Sequence, residues 1–230
     1  MSESYHEAQE TPGPDVTVWP PPPIYRLPDA APSALLFRFA PLRPLANAIC
    51  VQLALYAVLC VIIIGNALLP LGSPSLGAGL KGLRVLLLLT TGVCFLVWTY
   101  RLHQNLRAFG VSRLSVTAGW AVGYFFVPII SLYRPYQIFS EIWKASDPGP
   151  APREGGAWQT LKVPALVGVW WAFWLGSGIV DQLSATTPDE TTGVALGAAL
   201  RLIAAVLALL VVRQFTAREE QTAGQLSLIA

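Results

Sequence analysis

The chain has 230 residues, of which 54% are hydrophobic and 12% are charged, and its formal net charge is +2. An ordinary soluble domain has about 25% charged residues, and a nucleic-acid-binding protein concentrates Lys and Arg in one run or on one surface. The composition therefore excludes an ordinary soluble domain, argues against a nucleic-acid partner and favours a protein that lies in a lipid bilayer.

Residues 1–45 are rich in proline, which interrupts both helices and sheets, and they predict a disordered tail. The tail has no apolar core of the kind that a cleavable signal peptide requires, so the first apolar stretch is expected to act as an uncleaved anchor. Pro22, Pro23, Ile24 and Tyr25 match the PPxY pattern that WW domains bind. Two interpretations stay open: the tail binds a protein partner through this motif, or the tail is a spacer.

Four apolar stretches follow, and each is long enough to cross a membrane as a helix. They comprise residues 46–69, 83–100, 163–180 and 194–212. A hydrocarbon core about 30 Å thick requires about 20 residues, because a helix rises about 1.5 Å per residue. The pattern predicts an all-α, polytopic membrane helix bundle with four full spans over residues 46–213, followed by a short C-terminal tail at 214–230.

Residues 114–133 are uncharged and could span as a short fifth helix, but Pro128 would break that helix. Positive residues on both sides of the segment favour instead a re-entrant segment that enters and leaves on one side of the membrane. After it, apolar and aromatic residues recur at helical spacing, which predicts an amphipathic helix at the cytoplasmic interface. Its apolar edge comprises Tyr136, Phe139, Ile142 and Trp143.

The distribution of Lys and Arg predicts the orientation, because short cytoplasmic loops retain positive charge. Arginines precede the first stretch and follow the second and the fourth. Residues 70–80 carry no charge, and residues 181–193 carry only acidic ones. Both loops are therefore predicted to lie outside, with the N-terminus and the C-terminus in the cytoplasm.

Charged residues inside or at the ends of the spans are costly in lipid and therefore call for an explanation. Arg84, Asp181 and Arg201 all lie toward the predicted outer ends of the stretches. We expect Arg201 to point into the bundle, toward Asp181 or toward a water-filled vestibule shared with Arg84. A structural ion pair and a substrate or ion site are the two interpretations of these charges.

Small residues four positions apart let helices approach closely in lipid. Such spacing occurs at Gly119/Gly123, at Gly168/Ala172/Gly176 and at Gly193/Gly197. These positions predict either packing within one bundle or a homo-oligomer. Cys50, Cys60 and Cys94 form no metal-ligand or redox pattern, and no span interior contains paired carboxylates or a Ser/His arrangement. No catalytic residue, metal or cofactor is therefore predicted.

A polar cluster lies around the re-entrant segment, and we expect a hinge there in which Asn105 or Glu141 satisfies backbone groups near Pro128 and Pro135. The cluster also carries a resemblance, at Trp98, Arg101, Asn105, Gly110, Trp120, Pro128, Arg134, Pro135, Tyr136, Gln137 and Glu141. Over residues 43–212 the chain resembles a bacterial membrane-protein family catalogued only as a domain of unknown function. The resemblance implies an integral multi-helix membrane protein in a bacterium and supplies no activity. We predict that the protein lies in the cell inner (cytoplasmic) membrane.

Two functions compete on this basis. A small scaffold or partner-binding membrane subunit requires only a packed bundle, a polar surface and a tail that can recruit a partner. An oligomeric transporter or channel component is the alternative, and it would use the segment broken at Pro128 together with Arg84 and Arg201. An enzyme is not predicted.

Overall fold

The computed structural model describes residues 39–69, 74–149, 157–184 and 190–227, and these residues contain helices and turns but no strand. Six α-helices follow one another as α1 (Arg43–Leu68), α2 (Pro74–Ala108), α3 (Ala118–Gly123), α4 (Arg134–Ala145), α5 (Ala165–Ser184) and α6 (Glu190–Ser227). Short 3-10 helices occupy Ile130–Leu132 and Ala157–Thr160. The predicted PPxY motif and most of the predicted tail lie outside the described residues.

Three of the described helices are long and apolar enough to cross a membrane, namely Arg43–Leu68, Ser75–Ala108 and Thr192–Ser227. The predicted span at 163–180 forms α5, a helix of 20 residues that is not among these three. Polar atoms lower its mean hydropathy, namely the indole N–H groups of three tryptophans and the side chains of Asp181 and Gln182 near its end. The all-helical class is confirmed, whereas the predicted count of four full spans is not.

Apolar side chains cover the outside of the long helices as well as the inside. On α1 the buried face includes Ile49, Leu53 and Tyr56, which recur at helical spacing, while Val51 and Leu55 are exposed. A soluble protein rarely exposes contiguous apolar surface of this extent. The outer faces of these helices are therefore suited to lipid contact.

The long helices pack as an open row. α6 packs against α1 and α5, and α1 packs against α2, whereas α2 and α5 make few direct contacts with each other. At one end of the row, Phe139 of α4 fills the space among the other helices. Its ring centroid lies 6.0 Å from that of Trp98, 5.3 Å from that of Trp170 and 5.6 Å from that of Phe215. Because these rings come from α2, α5 and α6, the buried face of α4 joins the helices there.

Residues 114–133 do not form one continuous helix. They contain α3, which has six residues, and the 3-10 helix at Ile130–Leu132. A six-residue helix is only about 9 Å long, so the alternative of a fifth helical span is wrong. Ile129, directly after Pro128, has φ of 66°, a left-handed conformation that a β-branched residue rarely adopts. Proline and this strained residue together explain why the helix does not continue.

Proline and glycine also mark the ends of the longer helices. Pro44 and Pro135 lie in the first turns of α1 and α4, where a missing N–H costs nothing. α2 ends before Gly110, whose φ is 77°, and the Val111 N–H donates to the Leu106 carbonyl at 3.0 Å. This is a Schellman-type helix end, which requires the left-handed conformation that glycine adopts readily.

α6 continues well past the predicted end of the fourth apolar stretch. The residues assigned to a short C-terminal tail, 214–230, are helical as far as Ser227. Phe215, Thr216, Glu219 and Thr222 are buried there. Because these positions recur at helical spacing, they form a stripe that packs against the rest of the protein, and the helix extends beyond the apolar segment.

One small-residue pair packs inside the bundle. A Cβ atom added to Gly193 would clash with Ser184 Oγ, and one added to Gly197 would lie 2.7 Å from Asp181 Oδ1. These glycines therefore let α6 approach α5 closely. A Cβ atom at Gly176 would meet nothing within 4 Å.

Candidate functional site

The amphipathic helix α4 presents a polar groove on the side opposite its buried face. Phe139 and Ile142 of the predicted apolar edge are buried, and so is Ile138, which was not predicted. Tyr136, also predicted on that edge, is instead 40% exposed and faces the groove. The groove has a volume of about 460 Å³ and is also bordered by the 3-10 helix at Ala157–Thr160. Its lining residues are Ser115, Arg134, Tyr136, Gln137, Ser140, Glu141, Lys144, Trp158, Gln159 and Val163.

Hydrogen bonds hold the walls of this groove together. The Ser115 N–H donates to Glu141 Oε1 at 2.7 Å, and the Ser115 hydroxyl donates to Glu141 Oε2 at 2.6 Å. Lys144 Nζ donates to the Gln159 carbonyl at 3.0 Å. Glu141 therefore ties the loop before α3 to α4, and Lys144 ties α4 to the 3-10 helix that follows it.

The groove carries a net positive charge at neutral pH. Arg134 and Lys144 line it as cations, and Glu141 is the single acidic side chain among the described lining residues. Arg134 Nη1 donates to Gln137 Oε1 at 3.2 Å, and its guanidinium lies 5.4 Å from the centre of the Tyr124 ring. A guanidinium and an ammonium of this kind recognise carboxylate or phosphate groups by charge-assisted hydrogen bonds.

Asn105, in contrast, belongs to a second cluster, which is buried. Its Oδ1 accepts from the Ala40 N–H at 2.9 Å, and its Nδ2 donates to the Ala40 carbonyl at 3.1 Å and to Glu219 Oε2 at 3.0 Å. Glu219 is fully buried. The expectation that Asn105 and Glu141 satisfy backbone groups near Pro128 and Pro135 is therefore wrong: Asn105 joins α2 to α6 and to the chain before α1, and Glu141 binds Ser115.

Residues that the sequence analysis did not single out dock α4 on α6. Arg218 Nη2 donates to Asp147 Oδ1 at 2.6 Å, and its guanidinium lies 4.3 Å from the centre of the Trp143 ring. The Thr222 hydroxyl donates to the Ser146 carbonyl at 2.9 Å. The helical spacing of Arg218 and Thr222 is the only signal in the sequence that could have identified this contact.

The remaining residues of the predicted motif have mainly structural surroundings. Trp98 is fully buried and its Nε1 donates to the Thr216 hydroxyl at 3.1 Å. Arg101 is exposed, as is Trp120 on α3. Gly110 ends α2, as described above. The structure therefore places some motif residues in the polar groove, Trp98 and Asn105 in buried contacts, Gly110 at a helix end, and Arg101 and Trp120 on the surface outside the groove.

The three charges predicted to lie within the apolar stretches meet at one place. Arg201 of α6 forms an ion pair with Asp181 of α5, and Arg84 Nη2 of α2 lies 3.9 Å from Asp181 Oδ2. The Arg201 side chain is 11% exposed. Because one carboxylate faces two guanidinium groups, this charge cluster of Arg84, Asp181 and Arg201 has a net positive charge.

The described residues include no group of three or more His, Cys, Asp or Glu side chains that could hold a metal ion. Cys50 and Cys60 are buried as free thiols, and Cys94 is a half-buried free thiol.

The model of a protein family described as Domain of unknown function (DUF4328) matches residues 72–217, which is more than half of the chain. The chain therefore belongs to this family, and the predicted resemblance is confirmed. The match begins near the start of α2, so α1 lies outside it. No curated protein and no solved structure matches the chain.

Proposed function

We propose that this member of the DUF4328 family is a small multi-pass scaffold or partner-binding subunit of the bacterial inner membrane. The observation that carries the proposal is the polar groove on α4. Arg134, Tyr136, Gln137 and Glu141, four residues of the predicted family motif, line this open groove instead of the core. Side chains on an open polar surface contribute less to folding than to recognition of another molecule.

The proposed arrangement has four spans, α1, α2, α5 and α6, with both termini in the cytoplasm. The asymmetric distribution of Lys and Arg supports this orientation. The segment that contains α3 would enter and leave on the cytoplasmic side, where the groove also lies. A segment without a continuous helix is tolerated at membrane depth only where protein or water covers it, and contacts between α3 and α2 support such cover.

Accessibility of single cysteines tests this topology. In a variant without Cys50, Cys60 and Cys94, we expect Gln137→Cys to react with a membrane-impermeant maleimide only after the membrane is opened. Gln182→Cys should react in intact spheroplasts, because Gln182 lies at the predicted outer end of α5. Both glutamines are exposed, so the two positions differ chiefly in the side of the membrane. Labelling of both cysteines from the same side would contradict the arrangement.

The chemistry of the groove favours an acidic segment of a partner protein. Both oxygens of Glu141 already accept hydrogen bonds from Ser115, whereas Arg134 and Lys144 supply the cationic surface of the groove. The volume of about 460 Å³ is sufficient for a few side chains of a peptide. The proposal assigns the chain no catalytic activity and no cofactor, and the Pro-rich tail with its PPxY motif is a further proposed recruiting segment.

Photo-crosslinking in living cells tests the groove as a partner site. A benzoyl-phenylalanine at Gln137 should form a defined protein adduct, and the crosslinked peptide identified by mass spectrometry should carry acidic residues. The same label at Gln221, an exposed glutamine of α6 outside the groove, is the matched control. Replacing Arg134 and Lys144 by Glu should reduce the adduct at Gln137 at least about fivefold. Equal adducts at both positions, or an adduct that the charge reversal leaves unchanged, would rule out this binding site.

The alternative is an oligomeric transporter or channel component that uses the segment at Pro128 together with Arg84 and Arg201. The charge cluster of Arg84, Asp181 and Arg201 is the observation in its favour, because it lies among the apolar helices. Gly176, whose Cβ position meets nothing within 4 Å, offers a surface for a second copy of the chain. However, Arg201 borders a cavity with a mainly aromatic and aliphatic lining, which does not suit a hydrated ion. We therefore prefer the partner-binding function.

A further inference from the structure

A cavity of about 270 Å³ lies in the gap between α2 and α5, among the apolar parts of the long helices. Leu88 of α2 and Trp174 of α5 border it from the two sides and are 41% and 40% exposed. Ala205 and Ala208 of α6 contribute to its lining and are buried. The small alanine side chains leave the inner part empty, and the gap between α2 and α5 opens the outer part to the surroundings of the helices.

The surface of this cavity is almost entirely apolar. Phe95, Phe125 and Trp171 contribute aromatic rings. The Thr91 hydroxyl oxygen and the Trp170 indole nitrogen, although their residues line the cavity, are covered by protein atoms. An apolar cavity of about 150 Å³ stays dry and takes up small hydrocarbons, so a larger cavity of the same chemistry favours a hydrocarbon occupant over water.

Positive charge lies at one place on the boundary of the cavity. Arg201 lines it directly, and this arginine belongs to the charge cluster in which a single carboxylate, Asp181, faces both Arg201 and Arg84. Among the residues that the structure describes, one guanidinium charge in this cluster therefore has no carboxylate to balance it. An occupant that has an apolar chain and an anionic end would complement both parts of the cavity.

We propose that this cavity binds one acyl chain of an anionic phospholipid from the bilayer, with the lipid phosphate held beside Arg84 and Arg201. The proposal rests on the membrane arrangement given above, but it concerns a different surface from the groove on α4. The cavity volume is sufficient for part of one acyl chain, while the rest of that chain and the second chain of the lipid would remain in the bilayer outside Leu88 and Trp174. The bound lipid would thereby fill the gap between α2 and α5.

Native mass spectrometry of the full chain, released from mild detergent, tests the proposal with phosphatidylglycerol and phosphatidylcholine of identical acyl chains. We expect one phosphatidylglycerol per chain, bound at least about fivefold more tightly than phosphatidylcholine, because each nearby basic residue favours an anionic lipid by about that factor. Arg84→Gln should remove this preference. The wild-type comparison requires no variant and therefore does not depend on whether a variant folds.

A matched pair of leucines on α2 tests the position of the acyl chain. Leu88→Trp should block the cavity and lower retention of phosphatidylglycerol at least about fivefold, whereas Leu86→Trp, at an exposed leucine that does not line the cavity, should leave it unchanged. Equal binding of the two lipids, equal retention by the two tryptophan variants, or stoichiometric binding of free fatty acid in place of phospholipid would each overturn the proposal. None of these outcomes bears on crosslinking at Gln137, so the two proposals fail separately.

Discussion

Replacing Asn105 by leucine should lower the free energy of unfolding by about 3 kcal/mol. The substitution removes three hydrogen bonds, two to the backbone of Ala40 and one to Glu219. Glu219 is fully buried, and its Oε1 has no hydrogen-bond partner among the described residues, so loss of Asn105 leaves the whole carboxyl group without one. An unsatisfied buried polar group costs about 1–3 kcal/mol, and more when it is charged. Reversible unfolding in mixed micelles at increasing SDS fraction measures the change.

Two further variants show whether Asn105→Leu loses stability because the Glu219 carboxyl group is left without a hydrogen bond or because the core packs less well. Glu219→Met should be nearly neutral, because it removes a group that is already incompletely satisfied and Asn105 keeps its bonds to Ala40. The double variant Asn105→Leu/Glu219→Met should therefore be more stable than Asn105→Leu alone. Gln104→Leu is the surface control, since its Nε2 donates only to the Tyr100 hydroxyl at an exposed site. If Asn105→Leu were no more harmful than Gln104→Leu, the buried cluster would contribute nothing to stability.

The sequence predicts the long helices well because their apolar content is a local property. The stretches at 83–100 and 194–212 fall within helices that are long and apolar enough to span, and the stretch at 46–69 ends one residue beyond such a helix. It predicts their ends less well. α6 continues to Ser227 because Phe215, Thr216 and Glu219 pack against distant parts of the chain, and such contacts cannot be read from a window of hydropathy. The interruption of the helix at Pro128 is easier to predict, since a proline breaks a helix through its own backbone.

For the candidate site, too, the sequence predicts local features but not contacts between distant residues. The amphipathic pattern predicts Gln137, Glu141 and Lys144 on the polar faces of one helix, and the structure places all three in one groove. The partner of Glu141 is Ser115, which lies 26 positions earlier in the chain, and no local pattern identified it. The partner of Asn105 is Glu219, and it lies in residues 214–230, where the sequence predicts only a short C-terminal tail. Local periodicity therefore gives the face of a helix but not the residue that it meets.

Replacing Asp181 by leucine should lower the free energy of unfolding by about 3–5 kcal/mol, whereas Arg201→Leu should change it little. Arg201 is 11% exposed and its ion-pair partner is Asp181. Without that carboxylate, the guanidinium groups of Arg84 and Arg201 would lie among apolar helices with no counter-charge from the described part of the chain. Removing one partner of a buried ion pair and stranding the other typically costs about this much. Arg201→Leu strands no charge, because the Arg84 guanidinium still faces the Asp181 carboxylate.

The informative result is the difference in the free energy of unfolding between Asp181→Leu and Arg201→Leu. Reversible unfolding in mixed micelles measures this difference too. Asp181→Leu/Arg201→Leu should recover much of the stability that Asp181→Leu loses, because the stranded charge is gone. Arg84→Leu is the control. The Arg84 guanidinium lies 3.9 Å from Asp181 and is half-exposed, so solvent and lipid headgroups can reach it. Its replacement should lower the free energy of unfolding by less than about 1 kcal/mol. An Arg201→Leu variant that unfolds as easily as Asp181→Leu would mean that the guanidinium itself holds α5 and α6 together. If Arg201→Leu leaves the stability unchanged, Arg201 is not required for folding. Its guanidinium would then serve to place a positive charge beside the cavity between α2 and α5.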